Sequence, residues 1–202
     1  MIIVKSLGRR EYLPTWRDMR AFTERRHAAT ADEIWVVEHP PVYTQGAGCR
    51  DLPAAGCRKI PVVRTDRGGK MTYHGPGQLV AYLLFDLKRM ASGPRAFVRA
   101  IESRVIEFLA RYGVAGATVA GAPGVYVAGK KIAALGLRIS RGRSYHGLSL
   151  NVDMDLEPFR CIVPCGIPDL EVTNLCQWSA EATLESVSAA FVRTCREDGL
   201  FP

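Results

Sequence analysis

Apolar positions recur along the chain with two periods, and each period marks a different kind of element. Ile2 to Leu7 reads as a first strand. Leu13, Trp16, Met19 and Phe22 follow at helical spacing around Pro14, which predicts an amphipathic helix running to about Ala29. Ile34-Trp35-Val36-Val37 is a buried strand closed by the turn signal Pro40-Pro41. Val62-Val63 and the long β-rich run from Gln78 to Leu87 supply two more strands. Pro94 opens a second helix with Phe97, Ile101, Val105, Phe108 and Tyr112 on one face, and Gly113 is placed to end it. Strand-like pieces follow near Val114 to Val119, Gly124 to Val127, Ile132 to Ile139 and Ser144 to Val152, the last two joined by Ser140-Arg141-Gly142-Arg143. A final helix is predicted over Leu184 to Arg196 with Thr183 as N-cap.

Many strands in hairpin-like succession around two or three helices predict an α+β domain. Its sheet should be mixed and mainly antiparallel with flanking helices, not doubly wound and parallel. No repeat, low-complexity stretch or linker divides the 202 residues, so 1–202 reads as a single domain, long enough to bury a real core.

Composition narrows the class. Hydrophobic residues make up 48% and charged residues 23%, the balance of a globular protein. No apolar run reaches the ~18 residues of a membrane helix. The opening Met1-Ile2-Ile3-Val4-Lys5 is too short and wrongly ordered for a signal peptide, so a cytoplasmic protein without membrane contact is expected. In that compartment Cys49, Cys57, Cys161, Cys165, Cys176 and Cys195 should be reduced, most of them as small core hydrophobes. Their spacing does not pair into a zinc site, and no metal is expected. The net charge of +7, from 27 basic and 20 acidic residues, favours acidic partners: nucleic acid, anionic lipid or an acidic protein. Against a nucleic-acid-binding protein stand the lack of an RNP-like aromatic run and of a recognisable DNA-reading helix.

Three polar, glycine-rich segments between strong strands carry the candidate chemistry. Arg67-Gly68-Gly69-Lys70-Met71-Thr72-Tyr73-His74-Gly75-Pro76-Gly77 allows close backbone approach to a ligand, and its N–H groups can hold a carbonyl or oxyanion. It is neither a Walker loop nor a Rossmann fingerprint. Alone, its glycines read as turn chemistry and His74 as a structural hydrogen-bonder. In Gly129-Lys130-Lys131-Ile132-Ala133-Ala134-Leu135-Gly136, Lys130 reads as an exposed edge lysine, whereas Lys131 either snorkels or serves a purpose. Pro164-Cys165-Gly166-Ile167 puts a cysteine in a tight turn; alone, such a cysteine is more often inert than reactive. It is read beside Tyr145-His146-Gly147-Leu148-Ser149-Leu150-Asn151.

Taken together and in order, Arg67 to Gln78, Gly129 to Arg138, Ser144 to Val152 and Pro164 to Ile167 closely resemble the lipoyl(octanoyl) transferase family, lipoate biosynthesis protein B. Pro41-Val42-Tyr43-Thr44-Gln45-Gly46 fits as well. The resemblance implies the fold of the biotin and lipoate protein ligases. It implies an acyltransferase that takes octanoyl (or lipoyl) from the phosphopantetheine of acyl carrier protein as a thioester. The acceptor would be a lysine of apo lipoyl domains, those of 2-oxoacid dehydrogenase E2 subunits and the glycine cleavage H protein. Cys165 stands at the family's nucleophile and Lys131 at its catalytic lysine. Arg67, Gly68, Gly69, Lys70, Met71, Thr72, Tyr73 and His74, with Ala134, Leu135, Gly136, Gly147, Leu148 and Ser149, stand in its substrate-binding stretches. No ATP or metal is implied, because thioester exchange is nearly balanced and thioester to amide is downhill; a monomer is expected. Ser149 replaces a common alanine and Tyr126 a common tryptophan. The rival within the fold is an ATP-dependent lipoate or biotin ligase, in which Lys131 would bind an adenylate and Cys165 would be idle.

Overall fold

The elements run β1 (Ile2–Arg9), α1 (Tyr12–Arg25), β2 (Asp32–Glu38), β3 (Val42–Gln45), β4 (Val62–Arg64), β5 (Met71–His74) and β6 (Gln78–Leu84). They continue with α2 (Pro94–Ala110), β7 (Ala117–Val119), β8 (Ala122–Val127), β9 (Lys130–Ser140), β10 (Arg143–Asn151) and α3 (Leu184–Glu197). This computed structural model describes residues 2–51, 53–54, 59–90, 93–167 and 170–197, the side chain of Cys165 excepted; Cys57 lies outside them. Among the described residues no helix is long and apolar enough to cross a membrane.

Seven strands form one sheet in the order β1-β2-β6-β10-β9-β8-β7. Within this sheet, among the described residues, β1 and β2 pair in parallel because α1 carries the chain back between them, and the other neighbours are antiparallel; in the small sheet β3 pairs with β4 in parallel. The mixed, mainly antiparallel α+β architecture is therefore as expected. One face packs Leu79, Ala81, Leu83, Ala133, Leu148 and Leu150 against α2 and α3, whose Phe97, Ile101, Phe108 and Phe191 are buried. The other face packs Trp35, Val37, Val80, Tyr82 and Leu84 under α1. Thr183 caps α3 by accepting from the Ser186 N–H at 3.2 Å.

Four details differ from the sequence reading. The segment read as a glycine-rich loop contains β5, which joins β3 and β4 in a second, three-stranded sheet; its short strands sit beneath an inconspicuous polar sequence. Helix α1 stops at Arg25 instead of about Ala29. Arg26 leaves the helix with its guanidinium buried, donating to the Leu84 carbonyl at 2.6 Å and pairing with Asp32. Strand β6 stops at Leu84, and a short 3-10 turn over Leu87–Arg89 follows, capped by Asp86 accepting from the Lys88 N–H at 3.1 Å. The expectation of wholly reduced thiols fails at Cys161, which is disulfide-bonded, whereas Cys49, Cys176 and Cys195 are free.

Candidate active site

The site begins with two rows of cross-strand neighbours on the α1 side of the sheet. Ala134, Ser149 and Val80 make one row, and Gly136, Gly147 and Tyr82 the next. Directly opposed residues share a face, so the small side chains of β9 and β10 leave a trough there. Gly147 is obligatory, since a Cβ would stand 2.0 Å from the Ala81 carbonyl oxygen of β6. The Arg67–Gly69 segment, with Thr72 and His74 of β5, roofs the trough, and Tyr12 of α1 closes one side. The cavity is about 380 Å³, within the range of small-molecule sites. Every binding residue expected from the sequence lines it except Tyr73. That ring turns the other way, to Tyr43 (5.5 Å between centroids) and Phe159 (5.6 Å), because neighbouring residues of β5 face opposite sides.

Arg67 builds the roof. Its buried guanidinium donates to the Thr44 hydroxyl (2.9 Å) and to the carbonyls of Thr44 (2.6 Å), Gly68 (2.9 Å) and Lys70 (2.5 Å). The Gly68 N–H donates to the Leu137 carbonyl at 2.9 Å, docking the loop on the edge of β9 beyond its pairing with β8. Sequence reasoning assigned Arg67 to substrate; the structure also makes it the staple of the loop.

Lys131 stands at the other end of the trough. Between β8 and β9 the register passes from Val125↔Ala133 to Tyr126↔Lys131, so Ile132 is an extra residue and β9 bulges. A bulge re-aims side chains. Lys131 thereby lines the cavity with Ala134 while Ile132 and Ala133 enter the core. Its backbone is clamped by the 171–173 segment, its N–H donating to Glu171 and its carbonyl accepting from Thr173. The ammonium, on a residue only 3% exposed, donates to the Pro123 carbonyl at 3.0 Å and lies 5.1 Å from the Tyr126 ring centroid. Gly124 makes room for it, since a Cβ there would meet Lys131 Cε at 3.0 Å. Behind it, the buried Glu102 of α2 accepts from the Gly124 N–H at 2.9 Å. Lys130 instead points out to Glu171 at 3.2 Å. Cys165 lies in the 3-10 turn Pro164–Gly166; Pro164 shares a small cavity with Lys131, and Ile167 lines the trough.

Beyond the Gly136–Gly147 row the trough meets polar groups that sequence reasoning missed. Asp66, next to the Arg67 motif, accepts from Trp16 Nε1 (3.0 Å), His146 Nε2 (3.0 Å) and the Tyr145 hydroxyl. Burial works against its carboxylate, but these donors outweigh burial and hold it well below the usual carboxylate range. Tyr82 donates to His39 Nε2 at 2.7 Å, and His39 Nδ1 donates to the Arg10 carbonyl at 2.6 Å. Tyr12 stacks on His74 at 5.7 Å. Burial pushes the Tyr12 and Tyr82 hydroxyls up; it lowers His39 to about 4, His74 to about 3, and His146 as well. At neutral pH all three imidazoles are uncharged. Nothing but their scatter through the sequence hid this cluster.

Residues 12–196 match the lipoyl protein ligase A/B catalytic domain, spanning both the trough and the Lys131 end. The chain belongs to that family. The octanoyltransferase of Chromobacterium violaceum is 59% identical over 173 residues, covering 86% of this chain and 84% of that protein. The octanoyltransferase of Thiobacillus denitrificans is 52% identical over 196 residues, covering 95% and 90%. Lipoate-protein ligase A bound with ATP superposes with a TM-score of 0.75 at 13% identity, covering 97% of this chain and 83% of that one. The ligase likeness shows the shared fold. Identity above one half lies with the octanoyltransferases, which place the chain in the lipoyl(octanoyl) transferase group of the family.

Proposed function

We propose that this octanoyltransferase works in protein lipoylation by carrying the acyl group as a thioester on Cys165 and passing it to a lysine amine of a lipoyl domain. The observation that carries this reading is the buried Lys131 ammonium at one end of an apolar trough, beside the turn that holds Cys165. An ammonium beside a thiol favours the thiolate. That thiolate attacks the carbonyl of the incoming acyl thioester, and the carrier's sulfur leaves as a thiol with the proton that the Lys131 ammonium gives up, which leaves the lysine neutral. In the second half the acceptor amine attacks the Cys165 thioester. Lys131 in its neutral form takes the proton the amine must lose, and the cysteine sulfur departs. Both steps exchange one acyl bond for another, so no ATP is consumed. Burying seven methylene or methyl groups in the trough at ~0.8 kcal/mol each gains roughly 6 kcal/mol, which favours an octanoyl chain over short acids. The +7 charge suits an acidic donor, and we assign that role to acyl carrier protein.

The test is intact mass after incubation with octanoyl acyl carrier protein and no acceptor. One added octanoyl group, released by hydroxylamine and mapped to Cys165, is expected. Label on one of the free thiols Cys49, Cys176 or Cys195 would overturn the assignment. Acylation of a lipoyl domain from free octanoate and ATP would return the ligase reading.

A further inference from the structure

His146 occupies a position that its backbone does not suit. Its φ of 59° lies in the left-handed region where glycine is at ease and a histidine is uncommon. The kink interrupts the β6–β10 ladder, whose regular pairing starts at Gly147↔Tyr82. Ser144 repairs the gap with its hydroxyl, which accepts from the Phe85 N–H at 3.1 Å and donates to the Leu83 carbonyl at 2.7 Å. The result is an imidazole, 2% exposed, set into the wall of the trough. His146 pairs with Leu137, three residues along β9 from Ala134, so it stands about 10 Å beyond the Ala134–Ser149 row, away from Lys131.

The chemistry of that wall follows from its hydrogen bonds. Asp66 is ionised and can only accept, so the 3.0 Å contact requires the proton on His146 Nε2. Burial keeps the ring neutral, which leaves Nδ1 as a bare lone pair. That atom is buried and has no hydrogen-bond partner. The neighbouring Tyr82 hydroxyl is already committed to His39. A buried acceptor without a donor is costly, and a ligand atom that donates to it gains correspondingly.

We propose that His146 Nδ1 is a specificity contact at the far end of the acyl trough, accepting a hydrogen bond from acyl chains whose distal end carries a donor such as a hydroxyl or thiol. This rests on the trough being the acyl site. The site therefore admits a class of substrate beyond plain octanoyl: medium-chain acyl groups with a polar, donating tip.

The experiment compares single-turnover acylation of the full-length enzyme by acyl carrier protein loaded with octanoyl, nonanoyl or 8-hydroxyoctanoyl groups. The last two have the same number of heavy atoms along the chain and differ only at the tip. His146→Gly suits the backbone and removes the acceptor. The rate ratio of 8-hydroxyoctanoyl to nonanoyl should fall about tenfold from wild type to His146→Gly, the size of one hydrogen bond. A ratio that does not move overturns the proposal, even if longer chains react faster, because lost bulk would explain that alone. Should His146→Gly not fold, ¹⁵N NMR of the wild-type histidines decides: the Nδ1 resonance should shift with the hydroxylated chain and not with nonanoyl, and equal shifts count against the contact. Failure of octanoyl itself to load the wild-type enzyme would instead refute the acyl-transfer reading.

Discussion

Lys131 has two separable jobs in the proposed chemistry, holding positive charge beside a thiol and accepting a proton from an amine. Lys131→Ala removes both, so Cys165 alkylation by iodoacetamide should need higher pH, and acylation and transfer should both slow by orders of magnitude. Arginine keeps the charge but does not deprotonate in a protein. Lys131→Arg should therefore retain more self-acylation than transfer in single-turnover assays. Lys130→Ala should be nearly silent, since Lys130 is paired with Glu171 at the surface. A wild-type alkylation profile and normal turnover in Lys131→Ala would make the lysine structural. At this scale the sequence was partly legible. Read alone, Lys131 and Cys165 are indecisive, and it is the family resemblance, carried by the order of the motifs, that singles them out. Asp66, His146 and Tyr82 carried no such signal, because histidines, tyrosines and aspartates scattered over 80 residues gain a meaning only when they touch.

The elements decide where those side chains aim. In sequence β9 reads as an apolar strand entered by Lys130 and Lys131, and it is the bulge at Ile132 that brings Lys131 onto the same side as Ala134. Helix α2 reads as an amphipathic core helix, yet its Glu102 is buried on the packed face and holds the Gly124 N–H, one residue from the carbonyl that receives Lys131. Glu102 is a positioning residue, and replacing it tests that role. Glu102→Leu strands a buried N–H, which costs about 1–3 kcal/mol, and should lower the unfolding midpoint. It should also shift the pH profile of Cys165 alkylation part of the way toward that of Lys131→Ala. Glu102→Gln keeps an acceptor oxygen and should restore the profile. A destabilised Glu102→Leu protein with an unshifted profile would confine this glutamate to packing. The small sheet shows the same limit of sequence reading: β3 and β5 are four residues each, too short for a periodic signal to stand out from the glycines around them.

Across the whole molecule, the neutral histidines set an acid limit on stability. His39 and His74 titrate near 4 and 3 in the folded protein, pushed down by burial, against about 6.5 unfolded. As pH falls below about 6.5 the unfolded chain binds protons that the folded one refuses. Their contribution is thus complete above that pH and is lost progressively down to about 4 for His39 and about 3 for His74. From pH 7 to pH 5 His39 alone should cost on the order of 2 kcal/mol. Urea midpoints should drop over that interval, before most carboxylates titrate, and His39→Gln should flatten the slope. An unchanged slope would remove His39 from the account. The sequence by itself determined the α+β class, nearly every strand of the large sheet, the three helices and the family, because these follow from local periodicity, turn chemistry and motif order along the chain. Only the tertiary structure decided that Arg67 staples a loop, that Tyr73 leaves the site, and that a bulge aims Lys131 into the trough. It also decided that an unpartnered imidazole nitrogen closes the trough's far end. Those outcomes depend on strand register and on which buried donors meet which acceptors, and both arise from contacts between residues far apart in the chain.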